Sequence, residues 1–264
     1  MKLSFLFHEP IRDLAELSRR MERLAALGYQ GVELSAMYPP PYTADALLTL
    51  SRRHNMPVVS FLSGGSYGNE KLCLASPDAA VRERAVERLS SYVDYAAPLQ
   101  AVVVVGLMQG LRSDEPDGVL AAGRITDCLR RVADRAAAKG TTLVLEPVNH
   151  LQVGFHHTAA EAATLVAHVG SPALSYMLDT IHMHIEERSV RDTIMQHARH
   201  IRHFHLCESN GGPFGSGTID FPEVIGALRE GGYDRFISVK VYRQIGWEEA
   251  ATTAAERILP LLSG

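Results

Sequence analysis

The chain has 264 residues, with 46% hydrophobic and 21% charged residues, and its 26 Lys and Arg against 30 Asp and Glu give a net charge of −4. That length suits one α/β barrel of about 250 residues spanning 1–264, and an acidic balance with no basic run among aromatics disfavours nucleic acid as the main partner. Cys73, Cys128 and Cys207 lie far apart without a CxxC pair, MKLSFLFHEP is too short for a signal-peptide core, and no apolar run is long enough for a membrane span, so a cytoplasmic protein without disulfides is expected.

In chain order, KLSFLF reads as the first strand, followed by a helical stretch at 13–27 that Asp13 caps and Gly28 closes. GVELSA then precedes a helix at 43–54, PVVSFLS one at 78–95, and AVVVVGL one at 119–138. TTLVLEPV leads into 158–169, which Thr158 opens and Gly170 ends, and ALSYMLD leads into 189–199. RHFHLCE precedes 221–231, with Asp220 as cap and Pro222 in the first turn, and RFISVKV precedes 247–262. Eight near-continuous apolar runs alternating with helices predict a parallel sheet covered on both faces. After KLSFLF comes HEPIRD, with none of the glycines a doubly wound sheet would place there, so the prediction is a single (β/α)8 TIM barrel.

In such a barrel the chemistry collects at the C-terminal ends of the strands. Glu146, Asp179, His205 and Lys240 fall there at spacings of 33, 26 and 35 residues, about one strand-helix unit each. His8, Glu33, His182 and Glu208 fall there too and are candidate substrate contacts. Two carboxylates and an imidazole suit Mn²⁺, Mg²⁺, Co²⁺ or Zn²⁺ with coordination positions left open. A protonated lysine cannot be a fourth ligand.

The stretches LEPVNH, LDTIHMHIEE, HFHLCESN and GSGTIDFPEVIGAL together resemble the sugar isomerase and epimerase family of the xylose isomerase-like TIM barrel. That family includes ketose 3-epimerases, hydroxypyruvate isomerase and inosose isomerases. The resemblance implies a small sugar or polyol as substrate, a homo-oligomer, and a divalent metal held by Glu146, Asp179 and His205. It also implies a glutamate where this chain has Lys240, the first and fourth residues serving as acid and base on opposite faces of the substrate. His182 matches a substrate-contacting histidine, although a structural role suits it as well, and Glu33 matches a common family position that can simply anchor a loop. Gln152 stands where a second glutamate is expected, and the arginine expected after the histidine-rich stretch is absent from ESNGGPFG, which leaves the sugar open.

Three outcomes follow for Lys240. It swings away or coexists with a three-ligand metal completed by water and substrate and acts as proton donor; its ammonium replaces the metal, leaving metal binding weak or absent; or catalysis is lost and a non-catalytic sugar-binding barrel remains. A strand register shifted by one or two residues would instead turn Lys240 outward and present Ser238 or Tyr242. GGPFGSG is expected as a mobile rim segment.

Overall fold

Strands form where the apolar runs were expected: β1 (Lys2–Phe7), β2 (Gly31–Ser35), β3 (Val58–Leu62), β4 (Val102–Val105), β5 (Leu143–Leu145), β6 (Leu174–Tyr176), β7 (Leu178–Asp179), β8 (Phe204–Leu206) and β9 (Phe236–Val239). The computed structural model describes residues 1–243 and 245–263. All strand pairs are parallel, in the order β6-β5-β4-β3-β2-β1-β9-β8-β7.

Among the described residues, nine strands rather than eight result because ALSYMLD is broken at Met177: β6 pairs with β5, and β7 with β8. Met177 N still donates to Leu145 O at 2.9 Å and Arg202 N to Tyr176 O at 3.0 Å, so this divided strand joins the two ends of a nearly closed barrel.

The helices are α1 (Leu14–Ala26), α2 (Ala44–His54), α3 (Gly65–Glu70), α4 (Ala79–Ala96), α5 (Gly118–Lys139), α6 (Ala159–Val169), α7 (Thr180–Glu186), α8 (Val190–His197), α9 (Phe221–Glu230) and α10 (Trp247–Leu262). The expected caps are in place: Asp13 accepts from Ala15 N, Thr158 and Glu161 form a capping box, and Asp220 accepts from Glu223 N. None of the described helices is long and apolar enough to cross a membrane. The two helices not anticipated, α3 and α7, follow β3 and β7 directly. They add structure at the end of the barrel where side chains converge.

Alternation along the strands separates two environments. Leu3, Phe5, Val103, Leu143 and Leu145 join the large core under the helices, whereas Val104, Val144 and Met177 form a separate small cluster. Polar groups share the remaining interior. Ser4, Ser238, His205 and Asp179 are in register across β1, β9, β8 and β7, and Ser4 Oγ lies 2.6 Å from Ser238 Oγ. Lys240, two residues beyond Ser238, points to the same side one step higher. The shifted register is therefore not what forms, and a shift of two would have kept the same face in any case.

Candidate active site

Glu146 directly follows β5, and its carboxylate rests on Gly106, where an added Cβ would come within 2.6 Å of Glu146 Oε2. The glycine of AVVVVGL thus makes room for the acid. Gln109 Nε2 donates to Glu146 O at 3.0 Å, while the Gln109 carbonyl lies 2.9 Å from His156 Nδ1, holding the segment after β5. Asp179 is oriented by α7: its Oδ1 accepts from Ile181 N at 3.1 Å, which turns Oδ2 toward Lys240 and His205. Thr180 Oγ1 donates to Cys207 O at 2.6 Å and accepts from Cys207 N at 2.8 Å, tying the ends of β7 and β8 together.

These anchors bring the four strand-end residues into one cluster. Lys240 Nζ is 2.6 Å from Asp179 Oδ2 and 3.5 Å from Glu146 Oε1. His205 Nδ1 is 3.3 Å from Asp179 Oδ2 and 3.4 Å from Glu146 Oε1. Glu146 Oε1 and His205 Nδ1 are buried yet have no hydrogen-bond partner. Burial opposes the charge on Glu146, but Lys240 and then His205 outweigh it and hold the carboxyl down at about 2. Burial likewise opposes the charges on Asp179 and Lys240, and their mutual attraction wins, so the carboxyl lies below its ordinary range and the ammonium above.

His182 stands beside this cluster, its Nε2 3.8 Å from Glu146 Oε1 and 3.9 Å from Asp179 Oδ2. Asn149 Oδ1 accepts from Leu151 N, which leaves its Nδ2 to donate to His182 Nδ1 at 2.8 Å. The ring therefore presents an Nε2 proton. Burial, reinforced by Lys240, lowers its pKa to about 4 and keeps it neutral.

Above these groups opens a cavity of about 710 Å³, walled by the segments after β1, β2, β3, β4, β5, β7 and β9. Glu146, His182, Lys240 and His8 line it. His8 packs edge-on against Tyr242 and is kept neutral, with a pKa near 4, by burial and then by Lys240 and His205. Gln152, Asn69 and Arg12 also reach the wall, and Arg88, bonded to Glu70 and stacked on Tyr38, forms part of its rim. Apart from Gln152, these polar residues carried no spacing signal in the sequence.

Two expected contacts lie elsewhere. Glu33 is buried beneath His205 and is not on the cavity wall. It accepts from His205 Nε2 at 3.0 and 3.1 Å and from His203 Nε2 at 2.9 Å. Burial opposes its charge, but the two imidazoles outweigh that and hold its pKa well below the carboxylate range. Glu208, just past β8, turns away from the cavity and accepts from Gly215 N at 2.6 Å and Ser209 N at 3.3 Å. It organises the glycine-rich loop. The same loop is held by Tyr242 N and Arg243 N donating to Gly211 O and by Phe214 stacking on Phe221, so it is a fastened segment rather than a loose rim.

Among the described residues, two groups bring ligand atoms within 4.8 Å of one another, Glu146 with Asp179 and His182, and Glu33 with His203 and His205. In the expected trio, His205 Nδ1 lies 3.3 Å from Asp179 Oδ2 and 3.4 Å from Glu146 Oε1, spacings that bonds of about 2.1 Å to one ion would allow. The charges fit less well. Asp179 Oδ2 is already paired with the Lys240 ammonium, and although burial opposes it, Glu33, Asp179 and Glu146 favour a proton on His205. A divalent ion on these three atoms does not fit while Lys240 keeps its proton and its place.

A profile described as the xylose isomerase-like TIM barrel matches residues 21–261. The chain belongs to that family. Among its relatives is the L-ribulose 3-epimerase of Mesorhizobium japonicum, 32% identical over 222 residues that cover 83% of this chain and 73% of the relative. The D-psicose 3-epimerase of Agrobacterium fabrum is 29% identical, covering 88% of this chain and 81% of the relative. A solved structure of an L-ribulose 3-epimerase superimposes with a TM-score of 0.85 at 25% identity, over 100% of this chain and 98% of the other. As a xylose isomerase-like barrel, the protein shares its architecture with these epimerases along nearly its whole length.

Proposed function

We propose that this protein is a sugar or polyol epimerase or isomerase that moves a proton at the carbon next to a carbonyl. The observation that carries the reading is Glu146 Oε1: an ionised, buried carboxylate oxygen without a hydrogen-bond partner, on a residue lining the large cavity. A carboxylate so placed takes a proton from a bound molecule rather than from water. The cavity volume lies within the roughly 300–1,000 Å³ typical of small-molecule sites. The ketose 3-epimerase names of the relatives point to the same chemistry.

Glu146 removes the proton, the C–H electron pair becomes part of an enediolate, and the charge gathers on the former carbonyl oxygen. Such a carbon acid is weak, so a cationic or donor group must meet that oxygen. Lys240 Nζ and the Nε2 proton of His182 are donors beside Glu146 on the cavity wall, 3.5 and 3.8 Å from its Oε1. Return of the proton from the opposite face gives the epimer. Lys240 Nζ, 3.5 Å from Glu146 Oε1, stands on the same side as the base, so within the pair of Glu146 and Lys240 the carboxylate moves the proton and the ammonium serves the oxygen.

The test is solvent-deuterium incorporation into a panel of ketoses, L-ribulose and D-psicose among them, followed by NMR. Deuterium at a carbon adjacent to the carbonyl, with the epimer or isomer appearing, is the expected result. Tight binding of a sugar with no exchange would leave a binding protein instead.

A further inference from the structure

We propose that the Lys240 ammonium is the resident cation of this site, standing in for a divalent metal and donating to the oxygen on which enediolate charge develops. The inference rests on the proton-transfer reading above. It starts from position: Lys240 immediately follows β9, its backbone N donates to Leu206 O at 2.8 Å, and its side chain is 8% exposed. Nζ bridges the two carboxylates a metal would need, at 2.6 Å from Asp179 and 3.5 Å from Glu146. Swinging away would leave both without that counter-charge, Asp179 wholly buried and Glu146 nearly so.

Charge gives the second argument. Leaving the His205 imidazole out of both sums, three carboxylates and a divalent ion would come to −1 with glutamate at 240, and Glu146, Asp179 and an ammonium also come to −1. Exchanging a carboxylate for an ammonium supplies the two positive charges that the ion would have brought. The third argument is donor capacity. An ammonium has three N–H groups, of which Asp179 takes one and Glu146 faces another, leaving one for a substrate oxygen in the cavity that Lys240 lines. No oxidant or reductant is required: the C–H bond breaks toward Glu146, its electron pair forms the C=C bond, and reprotonation at carbon restores the carbonyl.

The experiment compares wild type, Lys240→Glu and Lys240→Met by calorimetric titration with Mn²⁺ and by sugar deuterium exchange with and without a chelator, folding being checked by circular dichroism. Wild type is expected to bind Mn²⁺ at least about 100-fold more weakly than Lys240→Glu, because two charges change beside the ion. Its exchange should stay within about twofold after chelation, whereas Lys240→Met should lose about 10²–10³ in exchange rate. Should Lys240→Glu fail to fold, Lys240→Met serves in the titration and is expected to bind Mn²⁺ more tightly than wild type. One equivalent of Mn²⁺ bound by wild type as tightly as by these variants, or exchange silenced by chelation and restored by Mn²⁺, overturns the proposal. If no sugar exchanges at all, the proton-transfer reading falls, and the titration still decides which cation the site prefers.

Discussion

Two acid-imidazole clusters are buried at neighbouring levels of the same barrel, and they differ in what remains unsatisfied. In the lower one, Glu33 accepts from the Nε2 atoms of His203 and His205 at 2.9–3.1 Å, and none of the three lines the cavity. In the upper one, His182 stays 3.8–3.9 Å from Glu146 and Asp179, and Glu146 Oε1 has no hydrogen-bond partner. Residue type and burial are nearly the same, so neither distinguishes a structural cluster from a reactive one. The open valence beside a cavity does. His205 belongs to both levels, bonding Glu33 through Nε2 and facing Glu146 and Asp179 through Nδ1.

The largest effect should come from the upper level. Glu146→Gln keeps the shape and removes the base, so deuterium exchange is expected to fall by about 10²–10⁴. Exchange that persists would move the reactive group elsewhere. The lower level should answer in the opposite currency, stability. Glu33→Gln strands two buried imidazoles and is expected to cost about 3–5 kcal/mol in urea denaturation, with only about a tenfold loss of exchange through a looser His205.

The pH dependence sharpens this second test. Because the folded pKa of Glu33 is depressed, the unfolded chain takes up its proton first as pH falls below about 4.5. Its contribution to stability is full above that value and is lost as pH drops toward the folded pKa. Glu33→Gln should flatten that acid limb of the stability curve. An unchanged limb would mean that other carboxylates set it.

This division was only partly legible in the sequence. The alternation of apolar runs with capped helices was enough for the barrel, because its strands are buried on both faces and their pattern is uninterrupted. The break at Met177 was not readable, since Tyr176, Met177 and Leu178 are all buried and the interruption lies in which neighbour each backbone group meets. Glu146, Asp179, His205 and Lys240 were found by their spacing. Glu33 and Glu208 share the same strand-end placement, and a sequence does not show whether a buried carboxylate finds its donors below, as Glu33 does, or in its own loop, as Glu208 does.

A smaller effect is expected at Asn149. Asn149→Leu removes the donor to His182 Nδ1, so the ring no longer has one enforced tautomer. An approximately tenfold loss in kcat/KM is expected, carried mostly by KM, measured by exchange at varied sugar concentration. A loss as large as that of Glu146→Gln would place His182 among the proton-transferring groups.

The smallest effect on turnover should come from Glu208. Its Oε1 accepts from Gly215 N and its Oε2 from Ser209 N, with Ile219 N at 3.5 Å, so the carboxylate is a nucleus around which the loop folds. Glu208→Gln retains an acceptor but replaces the other oxygen with a donor facing backbone N–H groups, a mismatch worth about 1–3 kcal/mol. Faster proteolytic cleavage within residues 209–219 is the expected readout, with exchange within about threefold of wild type, because the carboxylate is not on the cavity wall. Exchange lost without faster cleavage would put Glu208 in contact with the sugar and redraw the boundary between the fastened and the reactive parts of the barrel end.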